Sequence, residues 1–312
     1  MNLKRQVYLM LPKPLQKKTK DFYYGKWIDS LYRLKYKKHY GLNDFFDTIA
    51  LETTTYCNLR CSFCPNSNHE RGLQKNEKHM DKEVFMKIID ELAEIEYRGK
   101  VALYSYGEPC TDNRLPELIQ YAKQKLPNSF VEINSNGFLL TVELYQTLVR
   151  AGIDKIYVSQ YTDKMPSSVV KVYEFLKENP EFPDRIQYRI FNAETYPLLS
   201  NRGGEIEMEQ SVNYERPICG YPHHAQTIDW EGNWVLCCND YHSSIKFGNL
   251  GKETIMQVWN KPYFKKIRED TNNGIYDLEI CKVCVGHKPM KKNQDLENNS
   301  LVTIRSSLPN SE

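Results

Sequence analysis

The sequence predicts an α/β fold: a partial TIM-like (β/α) barrel of about five to six parallel strands, with a small cysteine-rich C-terminal domain. Three observations predict it. From residue 49 onward, short β-branched and aromatic runs alternate with amphipathic stretches of helical period, the rhythm of βαβ units. The predicted strands end in polar or glycine-containing residues, at the end where (β/α) barrels carry their chemistry. Of nine cysteines, three follow the first predicted strand and five lie beyond residue 218, with Cys110 between the groups.

At 312 residues the chain can bury a large core. It carries 42 basic and 40 acidic side chains, unevenly placed: residues 1–40 hold 11 Lys/Arg against 2 Asp/Glu. In the basic extension 1–46, Tyr23, Tyr24, Trp27, Leu31, Tyr32 and Leu34 recur at helical spacing, which predicts a helix with one apolar face. Its basic face is either solvated or a surface for a phosphorylated or otherwise anionic partner. The apolar run 7–11 is too short for a signal peptide and ends at Pro12. Nothing approaches the ~18 apolar residues of a transmembrane segment. Cysteines in such a chain predict a cytoplasmic protein and metal work, not disulfides.

Residues 49–56 are the first predicted strand. Asp81 is placed to cap a helix to about residue 97, with Val84, Phe85, Ile88, Ile89 and Leu92 on one face. Further strands are predicted at 101–105, 130–134, 155–161 and 185–191, and helices at 115–126, 142–151 and 169–177. No convincing sixth strand is evident. On the fifth strand Ile186, Tyr188 and Ile190 alternate with Gln187 and Arg189. Arg189 either points into the barrel as a substrate contact or is a rim charge.

Cys57, Cys61 and Cys64 stand at C-x3-C-x2-C on the loop leaving the first strand, with Phe63 before the last. Soft thiolates on a short loop suit zinc or an iron–sulfur cluster. Structural zinc usually takes four ligands, whereas three leave one iron of a cubane open to a ligand that is not protein. The second strand runs into Tyr106-Gly107-Glu108-Pro109, the third into Asn134-Ser135-Asn136-Gly137, and Ser159 lies on the fourth. Each can be ordinary turn or packing chemistry. In this order behind the three cysteines they resemble the radical S-adenosylmethionine (radical SAM) superfamily. The resemblance implies a [4Fe-4S] cluster on Cys57, Cys61 and Cys64 whose open iron binds the amino and carboxylate groups of S-adenosyl-L-methionine. It also implies that Gly107 and Glu108, in a "GGEP" motif whose first Gly is Tyr106 here, receive the cofactor's ammonium. Asn134 and Asn136 would meet its ribose, with Phe63 and Ser159 as further cofactor contacts.

Cys219, then Gly232, then Cys237 follow a C-x12-G-x4-C spacing, and Cys281 and Cys284 close the set as C-x2-C. A C-x2-C pair alone permits zinc. The whole arrangement, with Gly248-Asn249-Leu250 and Trp259-Asn260, resembles the SPASM extension of radical SAM enzymes in its shortened "Twitch" form. That resemblance implies one auxiliary [4Fe-4S] cluster on Cys219, Cys237, Cys281 and Cys284. Cys237 and Cys238 are neighbours on a predicted strand 233–238, so their side chains should face opposite ways. The spacing selects Cys237 as the ligand and leaves Cys238, with Cys110, as a spare thiol. The domains predicted are the extension 1–46, the barrel 47–210, the auxiliary domain 211–287 and a polar, disordered tail 288–312.

The resemblance thus implies an enzyme with two [4Fe-4S] clusters and S-adenosyl-L-methionine, reduced by a flavodoxin- or ferredoxin-type donor. It would abstract hydrogen from a small polar substrate, sugar- or aminocyclitol-like, for oxidation or epimerisation. Cys238 is the candidate hydrogen donor in the second case. The alternatives are SPASM-type modification of a peptide or protein side chain, and a metal scaffold without catalysis. Full SPASM domains carry more cysteines than this chain has, which weighs against the peptide class.

Overall fold

The computed structural model describes residues 28–42, 44–191, 200–207 and 218–286. Helix α1 (Ile28–Tyr40) leads into strand β1 (Thr48–Leu51). Then α2 (Lys82–Glu94), β2 (Lys100–Ala102), α3 (Leu115–Lys125), β3 (Phe130–Ser135), α4 (Val142–Arg150), β4 (Lys155–Gln160), α5 (Ser167–Glu178) and β5 (Ile186–Ile190) alternate as the sequence predicts. After α6 (Tyr221–His224) come β6 (Ala225–Ile228), β7 (Asn233–Val235), β8 (Lys246–Asn249), α7 (Ile255–Trp259), α8 (Pro262–Asn272) and α9 (Glu279–Cys284).

Among the described residues the eight strands belong to one sheet, ordered β5-β4-β3-β2-β1-β6-β7-β8. β1 to β5 are parallel neighbours, with Ile49 opposite Val101 and Ile156 opposite Ile186. β6 pairs in parallel with the free side of β1, Ile49 opposite Gln226. It is the sixth strand that sequence patterning does not reveal. The hairpin β7–β8 continues the sheet antiparallel. Residues in the predicted auxiliary domain therefore extend the barrel's own sheet.

Local chemistry explains the helices. The Asp81 carboxylate accepts from Glu83 N at 2.7 Å, and α2 buries Phe85, Ile88, Ile89 and Leu92, the predicted face. Thr141 caps α4 at 3.1 Å, and Thr254 with Gln257 forms a capping box on α7. Each fully buried aliphatic or aromatic side chain contributes roughly 1.5–3 kcal/mol. The face of α1 differs from expectation. Leu31 and Leu34 are exposed, while Tyr36 is fully buried and Tyr32 stacks on His224 with ring centroids 4.3 Å apart. The Tyr36 hydroxyl meets His224 Nδ1 at 3.2 Å, a partner that the apolar period could not reveal. Phe45 and Phe46, assigned to the extension, are fully buried and pack edge-on against Trp259. Tyr23, Tyr24, Trp27 and the tail 288–312 lie outside the described residues. Among the described residues no helix is long and apolar enough to cross a membrane.

Candidate active site

Parallel strands bring their C-terminal ends to one rim, where the loops after β1, β2 and β3 meet residues 202 and 238 around a cavity of about 340 Å³. That lies within the usual size range of small-molecule sites. Cys57, Cys61 and Cys64 are in its wall, on the loop after β1. Cys61 is buried and the other two are half-buried. The chain turns between them through Cys64 N to Cys61 O at 2.9 Å. Leu59, Cys61 and Phe63 form a small apolar cluster with Phe138 and Tyr161, and the Phe63 and Tyr161 ring centroids are 5.0 Å apart. Burial, with the Glu108 charge adding, pushes the Cys57 thiol up to about 12. Burial also raises Cys61 and Cys64. Such thiols need a cation beside them to stay ionised, which iron would supply.

Glu108 is 3% exposed and holds the ends of two strands together. Its carboxylate accepts from Ser135 Oγ at 2.7 Å, Asn136 N at 2.8 Å and Cys110 N at 3.1 Å. Burial raises its pKa, and these bonds work in the other direction. The Cys110 side chain bonds to the same carboxylate, so Glu108 is a buried acceptor gathered by four protein donors at the cavity wall. Gly107 has no room for a side chain, since a Cβ there would lie 2.0 Å from the Thr54 carbonyl oxygen. Tyr106 has a different task from the Gly it replaces. Its hydroxyl donates to the Cys238 carbonyl at 2.6 Å, while its own carbonyl accepts from Asn66 Nδ2 at 2.9 Å. The cofactor loop is thereby tied to the C-terminal cysteine segment.

Asn134 and Asn136 are both in the wall. Asn136 Nδ2 donates to Asn58 Oδ1 at 2.8 Å, whereas Asn134 Oδ1 is buried without a hydrogen-bond partner. Sequence reasoning missed several wall residues, Tyr161, Gln226 and Thr227 among them, and the charged one is Arg202. Its Nε is also buried without a partner, and its φ of 52° is a left-handed conformation that a non-glycine residue adopts at a cost. The signal available was a lone Arg before Gly203 and Gly204, both also at positive φ. Burial works against the Arg202 charge, but the surrounding Tyr106, Cys238, Cys64 and Tyr161 keep its pKa above the usual arginine value. Buried polar atoms left unpaired on a cavity wall are costly unless a polar ligand meets them.

Two further candidates stand apart from the wall. Ser159 is buried, and its hydroxyl bonds to Tyr161. Arg189 lies opposite Ser159 on exposed β5, its guanidinium 4.0 Å from the centre of the Tyr157 ring.

Cys237 and Cys238 lie beyond β7, which ends at Val235 and not at 238. The chain turns there, Asp240 N bonding to Cys237 O at 3.1 Å, and the Asp240 carboxylate caps Ser244 N and Ile245 N. Cys238 is in the wall of the cavity, and it lines a smaller pocket together with Cys237. Cys237 lies near Cys238, Cys219 and Cys284, and Asn239 reaches two thiols, Cys237 Sγ at 3.4 Å through its backbone amide and Cys284 Sγ at 3.3 Å through its side chain. α9 puts Cys281 and Cys284 on one face, and burial pushes Cys281 up to about 12. Cys110, the other spare thiol, contacts Ser135 Oγ at 3.5 Å. No cysteine forms a disulfide.

Comparisons with known proteins agree with this geometry. The model of the radical SAM superfamily matches residues 51–164, and that of SPASM, an iron–sulfur cluster-binding domain, matches residues 219–285. The S-adenosyl-L-methionine-dependent 2-deoxy-scyllo-inosamine dehydrogenase of Niallia circulans is 26% identical over 78% of this chain and 94% of its own. The tungsten-containing aldehyde ferredoxin oxidoreductase cofactor-modifying protein of Pyrococcus furiosus is 30% identical over 73% of this chain and 85% of its own. Among solved structures, BtrN in complex with AdoMet and 2-DOIA is similar with a TM-score of 0.64 at 26% identity, over 74% of this chain and 88% of BtrN.

Proposed function

This chain belongs to the radical SAM superfamily, as an oxidoreductase-type enzyme that uses iron–sulfur clusters and S-adenosyl-L-methionine, and from that premise we propose that it dehydrogenates a small polyhydroxylated, sugar- or aminocyclitol-like substrate. The observation that carries the reading is that Asn134 Oδ1 and Arg202 Nε, buried and unpartnered, share a wall with the three N-terminal thiols. Likeness to a cyclitol-amine dehydrogenase along most of both chains supports the substrate class.

Cys57, Cys61 and Cys64 would hold the first [4Fe-4S] cluster, and Cys219, Cys237, Cys281 and Cys284 the second. When bound, these groups supply reductive cleavage of S-adenosyl-L-methionine to a 5′-deoxyadenosyl radical, which takes a hydrogen atom from a substrate C–H, and an acceptor for the substrate's second electron. The chain's own residues do the rest. Gly107 lets the backbone come close, Glu108 offers its carboxylate charge to the cofactor's ammonium, and Asn134 and Asn136 bind ribose hydroxyls. Phe63 and Tyr161 exclude water from one side. Arg202 donates to a substrate hydroxyl and favours loss of its proton, fixing which carbon faces the cofactor. Ser159 acts through Tyr161, and Arg189 is a contact at the open edge of the barrel. A low-potential flavodoxin- or ferredoxin-type donor would supply the electrons. The exposed Lys37 and Lys38 of α1 offer an anionic partner a surface, and the cytoplasm, where thiols stay reduced, is the proposed location.

Cys238 favours a second reading, epimerisation, because its thiol could return a hydrogen atom to a substrate radical in the same cavity. Cys238→Ala separates the two when assayed in deuterated buffer. A dehydrogenase variant still forms a ketone, and the product carries no solvent deuterium at the attacked carbon beyond slow exchange. Loss of product with continued cofactor cleavage, and one deuterium in wild-type product, would establish epimerisation instead.

A further inference from the structure

His69, Glu205 and His242 come from three separate loops and meet outside the cavity. Each offers one ligand atom, and these atoms lie within 4.8 Å of one another. His69 Nε2 is 2.8 Å and His242 Nε2 3.3 Å from the same carboxylate oxygen, Glu205 Oε2. The two imidazoles are edge to face, with centroids 4.8 Å apart. For both contacts to be hydrogen bonds, each ring must carry a hydrogen on Nε2 and both must share one oxygen. A cation in place of those hydrogens satisfies all three groups at once. Two imidazoles and a carboxylate are the donor set of open zinc sites, and imidazole suits first-row divalent ions generally. Outer contacts fix the loops: Arg60 Nη1 donates to the His69 carbonyl at 2.9 Å, and Asn68 Nδ2 to the Glu205 carbonyl at 3.3 Å.

We propose that His69, Glu205 and His242 bind one divalent transition ion of the zinc class, distinct from both cysteine sets. Water fills its remaining positions, since the His242 side chain is 52% exposed. Glu205 follows Arg202 by three residues, His69 follows Cys64 by five, and His242 follows Cys238 by four. The ion therefore cross-links the three segments that carry cavity-wall residues. Its role is to hold the Arg202 segment in register with them.

The test uses full-length protein with its clusters reconstituted anaerobically, so that the thiols are occupied, dialysed against zinc chloride. Elemental analysis should find about one zinc per chain with cluster iron unchanged. His242→Ala, at an exposed position, should weaken zinc retention by more than ~tenfold at equal iron, because losing outer-sphere partners alone costs 10–100-fold. His242→Cys, which replaces one ligand with another, should restore it. Zinc should also raise the melting temperature of the wild type and not of His242→Ala. Equal zinc in wild type and His242→Ala, no zinc in either, or zinc gained at the expense of iron would overturn the proposal. None of these outcomes depends on which substrate the enzyme oxidises.

Discussion

Replacing Cys57, Cys61 and Cys64 together by Ala is expected to remove about half the iron of the reconstituted protein and abolish cleavage of S-adenosyl-L-methionine. The reason is that the two thiol sets have different neighbours. The first opens on the cavity beside Glu108, while Cys237 and Cys284 meet around Asn239. Iron and sulfide counts on anaerobically reconstituted protein check this, with 5′-deoxyadenosine measured by chromatography. A wild type holding only one cluster's iron, or zinc in place of iron at the C-terminal cysteines, would remove the auxiliary cluster from the account. Retention of all the iron by the triple variant would show that the N-terminal thiols hold none.

Arg202→Met should reduce product formation by ~10–150-fold while leaving cluster iron and cofactor binding near wild type. A hydrogen bond from a charged donor is worth ~1.5–3 kcal/mol, and ~1.4 kcal/mol is tenfold in rate. Methionine keeps much of the side-chain volume, so the packing of Tyr106 and Tyr161 is retained. Arg202→Lys should recover only part of the loss, because a point charge lacks the guanidinium's planar fork. Steady-state kinetics on the true substrate, with cofactor affinity measured separately, reads the result. A variant that loses cofactor binding as much as turnover would make Arg202 part of the cofactor site.

Much of this was legible in the sequence, because its signals are local. The strands from Ile49 to Ile190 alternate with amphipathic helices, and both kinds of period are written in consecutive residues. The cysteine spacings and the Gly107–Glu108 turn are likewise short-range. What stayed hidden depends on partners far away in the chain. β6 is four residues long with Gln226 within it, and it pairs with β1 from about 180 positions away. That glutamine is satisfied by Trp234 Nε1 at 3.1 Å and by the carbonyls of Pro222 and His223, so a buried polar residue masks a core strand. The buried face of α1 follows Tyr36 and His224, not the leucines. Arg202 and the His69–Glu205–His242 group become visible only when separate loops are brought together.

The central claim, that the thiol-lined cavity abstracts hydrogen from a ring carbon bearing a hydroxyl, has a direct test. Aminocyclitols and related sugars deuterated at individual ring carbons are incubated anaerobically with reduced enzyme and S-adenosyl-L-methionine, and both products are analysed by mass spectrometry. The account predicts that, for one labelled position of the true substrate, deuterium appears in 5′-deoxyadenosine and the ring product is a ketone at that carbon. 5′-Deoxyadenosine without substrate deuterium across the whole panel, with no ring oxidised, would contradict it.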